Sequence, residues 1–176
     1  MDTFFSGCFN AGPSSCAFHA LSAGEIRQNL INLSDRLSAN PIPVKTNSTY
    51  GVFDYASLRI VLFGALALPY AYFPLLAQGL ADLKAGNAEL LFQALNPPGS
   101  QFQCSCDPNA QEHAGDSVPD AQLAIVCNDG DAIPADLESS QKYFAMMTQS
   151  SDWADVWSAT RLNCVYVRFY QVVLPL

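Results

Sequence analysis

Residues 60–77 read IVLFGALALPYAYFPLLA, eighteen residues in a row without a charged side chain. A run of this length is long enough to cross a membrane as a single helix. Pro69 and Pro74, however, divide the run into segments too short to span a bilayer, and Arg59 stands directly before it. We therefore predict two helices buried in a protein core, and no membrane span.

Capping and helix-ending residues around this run set the expected limits of three helices. One helix is predicted from an Asp54 cap to about Leu68. A second is predicted to start at Phe73-Pro74, because proline is tolerated in a first helical turn, and to end at Gly86. A short third helix is predicted over residues 88–95.

The N-terminal third of the chain carries another strong helix signal. Ser22 and Glu25 have the spacing of a capping box, and Asn40-Pro41 ends the predicted helix. Four leucine and isoleucine side chains recur at helical spacing and predict one buried face: Ile26, Leu30, Leu33 and Leu37. Residues 1–20 are predicted to form two short helices around a turn, and residues 41–53 to be extended.

The C-terminal part of the chain predicts a strand followed by helices. Ala124-Ile125-Val126-Cys127 is a short apolar run bounded by turn residues, which favours a buried strand. Helices are predicted around residues 134–149 and 151–162, with Trp153 and Trp157 in the core. Residues 96–119 are expected to form a polar loop.

Composition indicates a globular protein and excludes one class of partner. The 176 residues are 50% hydrophobic and 14% charged, which is enough apolar material for a real core. The net charge of −8 leaves no basic patch for nucleic acid, so none is expected as a partner. Cys104-Ser105-Cys106 is the only close cysteine spacing, and it does not match a zinc site; no metal and no cofactor is predicted.

Six cysteines and two sequons favour the secretory pathway. An even cysteine count suggests disulfides, and Cys8 and Cys16 bracket the Gly12-Pro13 turn, so we predict that they pair. Asn32 and Asn47 each begin an Asn-x-Ser/Thr sequon. The start of the sequence lacks a signal peptide, and we expect an N-terminal truncation to account for this.

The sequence lacks the motif that a serine hydrolase of the α/β type needs. No Gly-x-Ser-x-Gly occurs, and the nearest string, over residues 12–16, has proline in the second position and no second glycine. We interpret His19 as a structural residue and His113 as a solvated loop residue. Asp129 and Asp131 are interpreted as turn residues. We predict no catalytic residue in this chain and no hydrolase activity from it alone.

Several strings in a fixed order nevertheless resemble one family. They are Phe4-Phe5-x-x-Cys8, Ala11-Gly12-Pro13, Cys16-Ala17-Phe18, Gly51-Val52-Phe53-Asp54-Tyr55, Ala81-Asp82-Leu83-x-x-Gly86-Asn87, Ala124-Ile125-x-Cys127-x-Asp129 and Ser151 through Cys164. Together they resemble the cap region of secreted fungal α/β-hydrolases related to tripeptidyl and prolyl aminopeptidases. The resemblance implies a second disulfide, between Cys127 and Cys164.

The resemblance also implies a fold and a domain organisation. The expected fold is mainly α: the helical cap, or lid, of an α/β-hydrolase, with one or two short strands and an incomplete core sheet. Residues 1–119 would form the helical cap region, and residues 120–165 a strand and helices that return toward the hydrolase core. Residues 166–176 match nothing in the family and are expected to be mis-spliced sequence.

The expected function is that of a substrate-covering cap in a secreted serine peptidase, inactive by itself. Its partner would be a peptide or small-molecule substrate of the complete enzyme. The aromatic run of Tyr70, Tyr72 and Phe73 has two interpretations, the lid of an apolar substrate pocket or ordinary core. A stand-alone helical module that binds a small molecule or peptide, and a non-functional truncated product, are the alternatives.

Overall fold

The computed structural model of the chain describes residues 1–47, 49–96, 118–131 and 133–165. These residues form eight α-helices and one sheet of two short antiparallel strands, so the predicted mainly helical class is confirmed. The chain falls into two compact units, Met1–Gly99 and Ser100–Leu176, and each is described by itself.

The first unit contains five helices and the sheet. Their bounds are α1 Asp2–Ala11, α2 Ala23–Ala39, β1 Ile42–Lys45, β2 Tyr50–Phe53, α3 Tyr55–Ala67, α4 Pro69–Lys84 and α5 Glu89–Leu95. The described helices of the second unit are α6 Val118–Asp129, α7 Leu137–Thr148 and α8 Ala154–Leu162, and a 3-10 turn at Asn163–Val165 follows α8.

Helix α2 begins at the predicted cap. The Ser22 hydroxyl accepts a hydrogen bond from the Glu25 backbone N–H at 3.0 Å, and the Glu25 carboxylate accepts one from the Leu21 N–H at 3.1 Å. The carboxylate thus satisfies the donor one residue before the cap, a shifted form of the predicted box. The four predicted core residues of this helix are all buried: Ile26, Leu30, Leu33 and Leu37.

Aspartate caps open α3 and α7. The Ser57 N–H donates to Asp54 Oδ1 at 2.8 Å, and the Ser139 N–H donates to Asp136 Oδ1 at 2.7 Å. Each backbone donor, helped by the serine hydroxyl, lowers the pKa of its aspartate. A folded-state pKa below the unfolded-state pKa means that folding favours the charged carboxylate. The resulting stabilisation of the fold is present above the unfolded-state pKa and is lost as the pH falls through the folded-state pKa.

Helix α4 starts earlier than predicted. It begins at Pro69, where the missing N–H costs nothing, and Pro74 lies inside it. The prediction that Phe73-Pro74 starts this helix is therefore wrong. Pro74 cannot donate to the carbonyl of Tyr70 one turn earlier, but Tyr70 is fully exposed, so water can supply the missing donor. At the other end, Gly86 follows the helix with a φ of 93°, as a terminating glycine should.

Aromatic and cationic contacts join the helices of the first unit. The ring centroids of Phe4 and Phe73 lie 5.2 Å apart in an edge-to-face arrangement, and this contact links α1 to α4. Arg27 of α2 lies over the Phe5 ring at 4.9 Å and pairs with Asp2. Arg36 donates to the last carbonyl groups of α4, so a guanidinium satisfies the C-terminal end of that helix.

Two glycines allow close approaches to α5. A Cβ at Gly79 of α4 would overlap the side chain of Leu91. A Cβ at Gly51 of β2 would lie 2.9 Å from the ring of Phe92. Glycine at both positions therefore lets α5 pack closely against α4 on one side and against the hairpin on the other.

The predicted extended region over 41–53 forms the hairpin of β1 and β2, with Ile42 opposite Phe53 and Lys45 opposite Tyr50. The predicted second short helix before Ser22 is absent, because the backbone from residue 13 to 18 forms turns. Within the part of the chain that the structure describes, no helix has both the length and the apolar character needed to cross a membrane.

In the second unit, the predicted strand at Ala124–Cys127 is wrong, because these residues lie inside helix α6. A short apolar run fits a buried strand and a buried helix equally well, so its periodicity cannot distinguish the two. Helices α7 and α8 fall within their predicted ranges, and α8 packs against both α6 and α7. Arg161 of α8 donates to the carbonyls of Val126 and Asp131, at the end of α6.

The second unit buries few of its described side chains. Among residues 121–131 and 133–165, Ala154 and Ser158 are the buried ones. Trp157 is 43% exposed, so its predicted place in a core is wrong, and Trp153 is partly exposed. Cys104 and Cys106 of the predicted polar loop, for which no disulfide partner is predicted, lie outside the described residues, as do His113 and the tail 166–176.

Candidate functional site

A groove of about 620 Å³ lies between α3, α4 and α5. Helix α3 contributes Ile60, Val61, Gly64 and Ala65 to its wall. Helix α4 contributes Tyr72, Leu75 and Leu76. Helix α5 contributes Leu90, Leu91, Gln93, Ala94 and Leu95. We call this cavity the α3–α5 groove.

Small residues on α3 leave the space that the groove occupies. A Cβ at Gly64 would meet no atom within 4 Å, so the backbone of α3 faces open volume at this point. Ala65 beside it reaches only a short distance from the helix axis. Helix α5 packs against both α3 and α4, so the three helices enclose a volume typical of small-molecule sites.

The groove is almost entirely apolar. Of the described lining residues, only Tyr72 and Gln93 have polar side-chain atoms, and none is charged. The Gln93 amide nitrogen donates to Glu89 Oε1, one turn earlier on α5, at 3.1 Å. Because a carboxylate can only accept, this contact turns the amide nitrogen toward Glu89, and the carboxamide keeps its oxygen as an acceptor and its second N–H as a donor.

The structure separates the three aromatic residues predicted as a lid. Tyr72 lies in the wall of the groove. Tyr70 is fully exposed and does not line it. Phe73 points the other way, against Phe4, where it borders a second cavity of about 150 Å³ between α1 and α4.

Most of the groove was not identified from the sequence. Ile60 and Leu75 are each more than half exposed and belong to its wall, and α5 supplies Leu90 and Gln93 from a separate segment. The apolar run over 60–77 was the available signal, but it indicated burial rather than a cavity. The pairing with α5 depends on tertiary packing, which local periodicity does not encode.

The described residues do not meet the requirements of a metal site, and His19 meets those of a structural residue. No group of three metal-ligating side chains lies together among them. The imidazole of His19 stacks on the ring of Phe9 at 6.0 Å with an interplanar angle of 11°, a packing arrangement that agrees with its structural interpretation. The groove therefore offers apolar contact and two polar groups, an arrangement suited to binding.

Both predicted disulfides are present. Cys8 of α1 joins Cys16 in the following turn, with Cα atoms 5.3 Å apart. Cys127 of α6 joins Cys164 in the 3-10 turn after α8, with Cα atoms 5.1 Å apart. Both separations are ordinary for a disulfide.

The two sequons lie in different backbone settings. Asn47 is exposed in the turn between β1 and β2, whereas Asn32 is exposed on α2 and accepts a hydrogen bond from Gln28 at 3.0 Å. N-glycans are typical of surface loops. The structure places only Asn47 in one.

In a secretory eukaryotic host we expect a glycan on Asn47 and none on Asn32, because the hairpin turn presents its asparagine outside regular structure. Enzymatic deglycosylation should lower the mass of the wild-type chain, and Asn47→Gln should abolish that mass change. Asn32→Gln is the matched control and should retain it. A glycopeptide carrying Asn32 as its main modified residue would contradict this expectation.

Comparison with known proteins adds no relative to this description. No protein-family model, no curated protein and no solved structure matches the chain. The resemblance to an α/β-hydrolase cap therefore stays a prediction.

Proposed function

We propose that residues 1–99 bind an apolar ligand in the α3–α5 groove, and that they do so as the substrate-covering cap of a secreted serine hydrolase. The observation that carries the binding part is the groove itself. Its volume of about 620 Å³ lies inside the range of about 300–1,000 Å³ that is usual for small-molecule pockets. Its wall is made of aliphatic and aromatic side chains with two polar groups among them.

The groove keeps part of this apolar wall in contact with solvent. Ile60, Tyr72 and Leu75 are 53%, 45% and 54% exposed. A ligand that covers them removes apolar surface from water, and each 100 Å² covered contributes about 2.5 kcal/mol of favourable transfer free energy. Much of that gain is offset by the loss of ligand motion.

The cap part of the proposal rests on the family resemblance and on two features that agree with it. The chain is mainly helical, as a cap is, and two disulfides fit an oxidising compartment. In this role the chain contributes no catalytic group. It excludes water and holds the apolar part of a peptide or other substrate beside a serine nucleophile supplied by the hydrolase core.

The binding part can be tested by filling the groove from one position. Leucine at Gly64 would project into open volume, where its β-carbon meets no atom. We expect Gly64→Leu to weaken binding of Nile red, a neutral apolar dye, at least tenfold in a fluorescence titration of the full chain. Leucine is also a better helix former than glycine by about 0.8 kcal/mol, so the variant should not lose thermal stability.

Gly7→Leu is the matched control for this experiment. A Cβ at Gly7 of α1 also meets no atom within 4 Å, and Gly7 lies outside the α3–α5 groove. This variant should bind the dye as the wild type does. Equal dye binding by the wild type and Gly64→Leu would show that the dye uses other exposed apolar surface, and the proposed site would then be rejected.

A stand-alone binding module is the second candidate, because the described wall of the groove lies within one compact unit. Transcript sequences and co-purified ligands would distinguish the two candidate functions. Transcripts that join this sequence to an exon encoding a Gly-x-Ser-x-Gly elbow would favour the cap. A ligand that co-purifies with the chain and is released chemically unchanged would favour the module.

A further inference from the structure

Where α5 borders the α3–α5 groove, Gln93 and the neighbouring Glu89 each provide a side-chain acceptor. One N–H of the Gln93 amide donates to the Glu89 carboxylate, and the amide oxygen remains an acceptor. Glu89 itself is exposed and carries a negative charge. No described residue that lines the groove is cationic.

We infer that the groove selects an amphiphilic amine, a ligand with an apolar body and a protonated amino group. This inference rests on the proposed binding function of the same groove. The apolar body lies against α3, α4 and α5, and the ammonium group donates to the Gln93 amide oxygen beside the Glu89 carboxylate. An ammonium group is a donor with no acceptor capacity, so it complements both groups.

Charge separates this ligand from others of the same length. A carboxylate placed at Gln93 would lie beside the negatively charged Glu89 carboxylate, which repels it. A hydroxyl group could donate to the amide oxygen, but it would gain nothing from the charge of Glu89. The expected order of affinity is therefore amine, then alcohol, then carboxylate.

Three probes of equal chain length test this order: octylamine, octanol and octanoate. Each would be titrated against Nile red bound to the full chain, at pH 7 and low ionic strength, where exposed charges are least screened. We expect octylamine to bind at least fivefold more tightly than octanoate. Glu89→Gln should reduce this ratio to about twofold or less, and Gln93→Leu should weaken octanol binding relative to the wild type.

The helix α4 provides a matched control for the loss of charge. Asp82 accepts a hydrogen bond from Gln78 at 2.8 Å, so it forms the same kind of carboxamide–carboxylate pair, but neither residue lines the groove. Asp82→Asn removes the same charge from a chain whose net charge is −8. The octylamine preference should survive this substitution.

The outcomes distinguish this inference from the proposed function on which it rests. Equal affinities for the three probes, with loss of all three in Gly64→Leu, would overturn the amine preference and leave the groove as a binding site. A preference reduced equally by Asp82→Asn and Glu89→Gln would also overturn it, because net charge would then be the cause. Failure of every probe to bind would reject the groove and the inference together.

Discussion

Breaking the Cys127–Cys164 disulfide is expected to unfold most of residues 118–165 and to leave residues 1–96 folded. The bridge joins cysteines 37 positions apart. The chain-entropy model gives about 4 kcal/mol for a loop of that size, a large share of the ~5–15 kcal/mol that stabilises a typical domain. The described part of this unit buries only Ala154 and Ser158, so little hydrophobic packing can compensate for the lost bridge.

Tryptophan fluorescence would measure this loss selectively. The two tryptophans of the chain, Trp153 and Trp157, both belong to the second unit. In a denaturant titration, a variant with serine at positions 127 and 164 should lose its tryptophan transition or show it at a much lower midpoint. Circular dichroism should retain the transition of the first unit.

The Cys8–Cys16 bridge provides the comparison. It spans 8 positions, for which the same model gives about 2.5 kcal/mol, and it lies in a unit with many buried side chains. Replacing this pair should shift the transition of the first unit moderately and leave tryptophan fluorescence unchanged. Unchanged tryptophan midpoints after loss of Cys127 and Cys164 would show that the second unit holds together without its bridge.

Leu80→Ala should destabilise the first unit by about 2–5 kcal/mol, the range for a leucine removed from a well-packed core. Leu80 is fully buried on α4. Its truncation removes apolar contacts and leaves a cavity that the surrounding helices cannot fully close. Denaturant unfolding followed by circular dichroism at 222 nm would give the change in the free energy of unfolding.

Leu75 offers the same substitution on the same helix with the opposite expectation. It is 54% exposed and lines the α3–α5 groove. Leu75→Ala should change the free energy of unfolding by less than about 1 kcal/mol, because the side chain is only partly removed from water, but it should weaken ligand binding. Equal losses of stability in Leu80→Ala and Leu75→Ala would contradict the different burial of these two side chains on α4.

Helix positions with strong local signals were predictable from the sequence. Ser22 with Glu25 marked the start of α2, and Asp54 marked the start of α3, because a capping side chain acts on donors only three residues away. The buried face of α2 followed from its spacing for the same reason. These features need no knowledge of the rest of the chain.

Segments whose sequence fits two alternative secondary structures or helix starts could not be predicted from local signals alone. The apolar run Ala124–Cys127 predicts a strand but forms part of α6, since a short apolar run fits either state. The sequence predicts a helix start at Phe73-Pro74, but α4 begins at Pro69, because either proline can occupy a first turn.

The candidate site was predictable only in part. The sequence groups Tyr70, Tyr72 and Phe73 as one aromatic run. Successive residues of a helix, however, are rotated by about 100° around the helix axis, so neighbours in sequence face different directions. Tyr70, Tyr72 and Phe73 therefore face solvent, the groove and the α1 side of the core. The remaining wall comes from α5, whose contact with α3 and α4 is a property of the folded unit.

The absence of a side chain at Gly79 has a consequence for how this groove could diversify. A β-carbon there would overlap Leu91, which is buried and has the groove as its adjacent free volume. Alanine at this position would displace Leu91, and the shape of the groove that Leu91 lines would change with it. In the proposed binding role, residue 79 would thus alter the groove without lining it, and we expect Gly79→Ala to change the length of the ligand that fits.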